Sequence, residues 1–511
     1  MNNIIDIVRS EKLLEHSQQE LDRLKGHAPV VIGSSEAGIY RRSLYRNGEV
    51  LYFIGRTATE KALYAVSSQA ADTPFGALES NGGVYARRIE MNNETVPMLW
   101  QLFPFTRPVS LRNERTTVGM GDRLGVASGG HIRAARKYHL YPVLAQQSLR
   151  ELDYTGRSFG DVVADASFAV FQEGYEKGFG ADADHMKTIE AIDGALGEAM
   201  PMITLDLTEV LNPAAAEWSE ADIRGAYGKL DAALRERLER DYVDVGYDAG
   251  GTTLMLDRTE LQKCALLYGD ALDFAEEVDA HLEEKTGGAY DLEISVDETT
   301  TPTLPEHHLF IARELQVRGV TVNSLAPRFI GDFQKAIDYI GDVDEFDEQF
   351  VVHCAIAQAF GGYKISVHSG SDKFAVYPSI GTHTAGRLHL KTSGTSWLEA
   401  LRAVAMRDPE LYRVIHRKTY EYYPKALANY HITAEVSGVR PLDEVSDAEL
   451  PSYLEDPNWR QFLHISYGGL LNDPEVRGPF FRFLHENEEL YFELLERHFD
   501  KHIGLLGIEK A

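Results

Sequence analysis

Two stretches of this chain end alike. Lys364–Phe374 reads K-I-S-V-H-S-G-S-D-K-F, and Glu293–Asp297 reads E-I-S-V-D. Each is a short apolar strand pattern closed by an ionisable side chain. Alternation on a strand puts Lys364, Ser366 and His368 on one face, and Glu293, Ser295 and Asp297 on one face. If both faces enter one interior, three contacts are expected at rising height: Glu293 with Lys364, Ser295 near Ser366, and Asp297 near His368. The lower pair would be structural. The upper pair, an imidazole beside a carboxylate, would be the seed of a functional site.

A second histidine also has acids close by. G-A-D-A-D-H (180–185) ends in Asp184 and His185, and Asp206 and Glu298 close two other apolar runs. Neutral imidazole with carboxylate suits a catalytic divalent metal of the zinc, cobalt, nickel or manganese class, with positions left open for substrate. The plainer reading is a histidine that merely hydrogen-bonds an interior acid. Two histidines at separate strand ends, with acids beside both, favour the metal. The choice of acidic ligand stays open. Arg328, Lys373 and Lys391 are candidates for gripping a substrate carboxylate, against the alternative of ion pairs with neighbouring acids. Gln147, Asp206 and Asp372 are further polar groups at strand ends that could meet a substrate.

These residues need elements to hold them. From about Thr116 the chain becomes rhythmic. Candidate strands are Thr116–Met120, Tyr141–Ala145, Gly180–Asp184, Met202–Leu207, Leu292–Asp297, Val320–Ala326, Lys364–His368 and Arg387–Lys391. Helix-length segments separate most of them, among them Asp165–Gly178, Ile189–Met200, Pro305–Arg318, Phe333–Ile340 and Asp347–Phe360. Eight strands alternating with helices point to a parallel α/β fold, and eight is the number that closes a (β/α)8 TIM-like barrel. In such a barrel, active sites form at the carboxyl ends of the strands. Here every strand ends in hydrogen-bonding or ionisable groups, which a core does not need, because buried charge is costly unless paired.

The expected organisation has three parts. Residues 1–110 form an N-terminal α+β region, with an amphipathic helix over 1–26 and a hairpin turn at Arg46-Asn47-Gly48-Glu49. Residues 111–395 form the barrel, interrupted by a helical insertion at 209–290 that caps one edge. Residues 396–511 form a helical C-terminal extension, punctuated by Asp-Pro and Gly-Pro breaks.

Composition narrows the partners. The chain has 511 residues and a net charge of −28. So acidic a charge argues against a nucleic-acid partner, which would normally need a basic face. If its substrate is an anion, it needs a local basic pocket, which makes Arg and Lys near strand ends informative. Cys264 and Cys354 read as reduced core thiols, and there is no Cys-x-x-Cys. No apolar run approaches the ~18 residues of a membrane span. The start of the sequence does not read as a signal peptide, so a cytoplasmic setting is expected. A homo-oligomer is left open. Two short motifs carry nothing. Gly119–Gly125 departs from the spacing of a nucleotide loop, and Gly156-Arg157-Ser158-Phe159-Gly160 follows no apolar strand, as a nucleophile elbow must.

Longer motifs carry more. G-D-R-L-G (121–125), L-A-Q-Q-S-L-R-E (144–151), F-Q-E-G-Y (171–175), G-F-G-A-D-A-D-H (178–185), S-V-D-E-T (295–299), R-F-I-G (328–331), Y-K-I-S-V-H-S-G-S-D-K-F (363–374), K-T-S-G-T-S (391–396) and N-E-E-L-Y (487–491) together resemble the tagaturonate epimerase family. The resemblance runs over roughly residues 115–505. It implies interconversion of the sugar acids D-tagaturonate and D-fructuronate, helped by a divalent metal, in bacterial hexuronate breakdown.

That reaction can be set against the residues. The two sugar acids differ at one hydroxyl-bearing carbon, β to both the ketone and the carboxylate. Its C–H is acidified by neither group. Transient oxidation would want a nicotinamide cofactor, for which there is no convincing motif. Retro-aldol cleavage, rotation of the aldehyde and re-addition needs instead a metal at the ketone, a base and an acid. On this expectation His185 and His368 hold the metal with Asp297. Asp184 and Glu298 form the acid/base pair, and Arg328 with Lys373 or Lys391 grips the carboxylate. Asp297 and Glu298 could exchange roles. Two alternatives are a metal-dependent aldose–ketose isomerase or aldolase acting on a sugar acid, and a non-catalytic sugar-acid-binding protein.

Overall fold

A computed structural model describes residues 1–34, 36–299 and 301–511, except for the side chain of Asn429. Eight strands close a barrel in sequential order. They are β1 (Thr116–Gly121), β2 (Tyr141–Ser148), β3 (Gly180–Met186), β4 (Met202–Asp206), β5 (Asp291–Ser295), β6 (Ser324–Ala326), β7 (Lys364–Val367) and β8 (Leu388–Ser393). All neighbouring pairs are parallel, including β8 with β1. The outward residues, such as Val118, Ile203, Leu292, Ile294, Leu325 and Leu390, are buried beneath the surrounding helices. This two-sided burial is why the strands read as near-continuous apolar runs.

The helices at Pro305–Arg318 and Val343–Ala359 lie where the sequence pattern places them. The first starts on a proline at its N-terminal turn and ends on left-handed Gly319. The expected helix at Phe333–Ile340 is absent. Residues 331–341 form a loop, and Phe333 and Tyr339 pack against Phe346 instead of lining a helix face. Spacing that imitates a helical stripe is here a small aromatic cluster.

The segment at 209–290 is only partly a cap. Its long helix, Arg258–Thr286, buries Leu261, Cys264, Leu267, Ala271, Ala275, Val278 and Leu282 in the same core as the barrel strands. It is the crossover helix between β4 and β5. The shorter helices Glu220–Tyr227 and Ala232–Tyr242, and the hairpin Tyr247–Ala249/Thr252–Leu254, are the added parts.

At the N-terminus, residues 1–26 form two helices, Asn2–Ser10 and Gln18–Lys25. The second begins with a capping box from Ser17 and Glu20. The first lays Ile4, Ile5 and Val8 on a seven-stranded antiparallel sheet. The other face of that sheet meets Phe168 and Phe171 of the barrel helix Phe159–Glu173. The expected hairpin is present, with Asn47 paired to Val50.

The C-terminal extension is helical and has its own core around Trp397, Tyr412, Trp459 and Phe480. Its last helix, Glu488–Leu505, closes onto the barrel helix Ser128–Ala135. A Cβ on Gly129 would fall 2.6 Å from Phe492, and one on Gly130 would fall 2.8 Å from Leu495. Two adjacent glycines let these helices approach. No helix among the described residues is long and apolar enough to cross a membrane.

Candidate active site

A cavity of about 540 Å³ opens at the carboxyl ends of the strands. His185, Asp297 and His368 meet there, with one ligand atom from each lying within 4.8 Å of the others. The expected upper contact is present: His368 Nδ1 lies 3.0 Å from Asp297 Oδ1. The pair is out of line for a hydrogen bond, which leaves Nδ1 buried without a partner. The other ring nitrogen, Nε2, is 2.7 Å from Glu293 Oε1. His185 is held in the same manner, with Nδ1 3.3 Å from Asp206 Oδ2.

Each imidazole therefore has its far nitrogen tied to a buried carboxylate, and the two rings stand 5.4 Å apart. That is how metal-ligating histidines are commonly oriented. The arrangement could hold a metal cation. It also corrects one assignment. Asp206, expected to meet substrate, accepts from His185 and from the Thr208 amide at 2.9 Å, so it orients a neighbour.

The sequence pattern gives no warning of how His185 enters the site. In a regular strand, Asp184 and His185 would face opposite ways. Here the register of β3 against β4 shifts between Ala183 and Met186, and His185 adopts a left-handed φ of 57°. The bulge turns two consecutive side chains into one cavity.

Below the metal-type cluster sits Lys391. Its ammonium is 2.9 Å from Asp182, 2.6 Å from Asp184 and 2.9 Å from Glu293, and it donates to Thr204. Burial works against the charge, but the three carboxylates outweigh it and raise the Lys391 pKa well above normal. Lys391 is thus occupied by protein acids and is not free to grip a substrate. Glu293, expected to pair with Lys364, pairs with His368 and Lys391. In register Glu293 lies opposite Ser324, and Ser324 opposite Lys364. Strand tilt in an eight-stranded barrel drops the level by about one residue per strand. Lys364 therefore lies a layer lower, donating to the Leu111 carbonyl at 3.1 Å. Ser295 turns to Asp297, while the Ser366 hydroxyl has no partner.

The charges set the protonation pattern. Burial alone would lower His368, but Asp297 and Glu293 outweigh it, with Lys391 opposing, and hold the ring up at about 10. For His185, burial is likewise overcome by Asp184, Asp206 and Asp297, to about 9. Burial would raise Asp184 and Asp297. Lys391 and the two histidines hold Asp184 low, and His368 with His185 holds Asp297 low. Both acids are ionised.

The carboxylate grip lies elsewhere than the sequence suggests. Arg328 does line the cavity, donating to the Thr299 carbonyl. Lys373 does not. Its ammonium is buried on the carbonyls of Gln334, Ile337 and Ser371, and burial pushes it down to about 7. Asp372 faces away, paired with Arg460 at 2.9 Å. Gln147 is buried outside the cavity, where Gln146 and Ser148 stand instead. A register shift between Val143 and Ala145 sets that parity. Glu298 lies at the exposed rim.

Sequence reasoning missed several lining residues: Arg150, Lys335, Tyr430, His431 and His464. The last three come from the C-terminal extension, which therefore helps to build the site. The only available signal was chemical, namely the basic pocket that an acidic protein would need for an anion.

The model of the family described as UxaE, tagaturonate epimerase, matches residues 40–506. The tagaturonate/fructuronate epimerase of Thermotoga maritima is 39% identical over 470 residues, which span 92% of this chain and 96% of that protein. Among solved structures, the native fructuronate-tagaturonate epimerase UxaE from Cohnella laeviribosi superposes with a TM-score of 0.86 at 40% identity, covering 95% of this chain and 98% of that one. The same protein complexed with one glycerol gives 0.87 at 41%, over 92% and 96%. With the barrel and its strand-end site in place, a family match over most of its length and a relative this similar, the chain belongs to the tagaturonate epimerase family and is a carbohydrate epimerase of the isomerase class.

Proposed function

We propose that this chain interconverts D-tagaturonate and D-fructuronate by retro-aldol cleavage and re-addition. The observation that carries the reading is the pair of imidazoles, each backed by a buried carboxylate and grouped with Asp297 in the cavity. His185, Asp297 and His368 would hold a divalent cation, which would supply a Lewis acid for the substrate's ketone.

The protein's own groups handle the protons. Asp184 lines the cavity beside the metal-type cluster, which places it to take the proton of the hydroxyl on the carbon to be inverted. The bond from that carbon to the ketone's α-carbon then breaks. Its electron pair moves into the ketone half, and the hydroxyl carbon becomes an aldehyde. The aldehyde turns, the bond re-forms on its other face, and Glu298 at the rim relays a proton from water to the new alkoxide while Asp184 gives its proton back to water. Atoms and charge balance without an external oxidant.

Incubation of the metal-loaded protein with D-tagaturonate in deuterated water, followed by NMR, tests this. D-Fructuronate should form, with no deuterium at the inverted carbon. Deuterium at that carbon would rule out the retro-aldol route. An aldose, or three-carbon fragments as final products, would favour an isomerase or aldolase.

A pH effect follows from the same geometry. In the metal-free protein both histidines hold protons at neutral pH, and each must lose one before it can serve as a ligand. Metal uptake by chelator-treated protein should release protons and tighten as pH rises from about 7 to about 10. Affinity that stays flat across that range would count against these ligands.

A further inference from the structure

We propose that Lys335, with Arg150 beside it, seats the substrate's carboxylate and makes the cavity select sugar acids over neutral sugars. The proposal rests on the epimerase reading of the site.

Of the cations lining this end of the cavity, Arg123 is already compensated, donating twice to Glu151 at 2.9 and 2.5 Å. Lys335 and Arg150 are not. Among the described residues no carboxylate lies within 4.0 Å of either. The Lys335 ammonium donates to the Ser369 hydroxyl at 2.8 Å, a neutral partner. Burial and the guanidiniums of Arg123 and Arg150 disfavour its charge, and Glu151 and Asp184, neither of them in direct contact, offset only part of this. An ammonium without a counter-ion in such a place is costly to the free protein, and an arriving anion relieves that cost.

Lys335 is also held in place. Its loop, residues 331–341, is tied down on both sides of the residue. Gln461 donates to the Lys335 carbonyl at 3.2 Å, and Arg460 donates to the Ala336 carbonyl at 2.8 Å. Thr433 and Gln461 both donate to the Gln334 side chain. Lys373 donates to the carbonyls of Gln334 and Ile337. These bonds keep a cation facing like charges, as a preformed anion seat requires. Lys373 is thus a positioning residue for the grip, not the grip itself. The ketone end of the sugar acid would face His185 and His368 while its carboxylate meets Lys335.

Calorimetric titration of the full metal-loaded chain with D-tagaturonate and with neutral D-tagatose tests the assignment. Lys335→Gln should weaken D-tagaturonate by about 10- to 100-fold, the usual worth of a charge-assisted hydrogen bond. D-Tagatose should be unaffected, metal content and melting temperature should hold, and Lys335→Arg should recover most of the loss. Equal weakening of both sugars, or unchanged binding of the acid, would overturn the proposal. Carboxylate-dependent binding that Lys335→Gln abolishes, in a protein that forms no D-fructuronate, would defeat the epimerase reading and leave this one standing.

Discussion

Lys391→Met should destabilise the folded protein by about 3–5 kcal/mol, the cost of leaving buried charges without their partner. Asp182, Asp184 and Glu293 converge on one ammonium at the barrel's centre. Removing it leaves three acids with only His185 and His368 close enough to offset them. The loss should appear as a fall in the urea midpoint, and adding Asp182→Asn should recover part of it. A midpoint equal to that of the parent protein would show that water or protonation compensates the acids, and the central role given to Lys391 would have to be dropped.

His368→Ala should remove the metal and lower activity by more than about 100-fold, since even the residues behind metal ligands are worth 10- to 100-fold. Glu293→Gln is the graded companion. It keeps the volume and weakens the hold on His368 Nε2, so metal affinity should fall by about 10- to 100-fold while the site still fills at high metal concentration. Elemental analysis of the purified proteins decides the matter. Full stoichiometric metal in His368→Ala would mean that the ligand set is wrong.

The barrel was legible because its signals are local. Eight apolar runs with helices between them can be counted from the sequence, and the rule that sites gather at strand ends points to His185, Asp297 and His368. What escaped was set by geometry that residue types do not encode. Strand tilt moved Lys364 a layer away from Glu293. A bulge with a left-handed His185, a conformation costing about 1–3 kcal/mol, set the direction of a ligand. After His368 the chain leaves the strand through left-handed Ser369 and Asp372, so Asp372 and Lys373 turn away from the cavity although they follow His368 in sequence. Lys335 lay in a stretch whose aromatic spacing imitated a helix. His464, Tyr430 and His431 come from far along the chain, and no local pattern joins them to strand ends.

The ties from Thr433, Arg460 and Gln461 to the Lys335 loop have a thermodynamic side. A ligand that binds only when this loop is in place binds only when the C-terminal extension is folded. Occupancy and folding of that layer are therefore linked functions. A sugar acid at a hundred times its dissociation constant would add about 2.7 kcal/mol to the stability of the extension, without touching most of it. The extension would then be least stable when substrate is scarce.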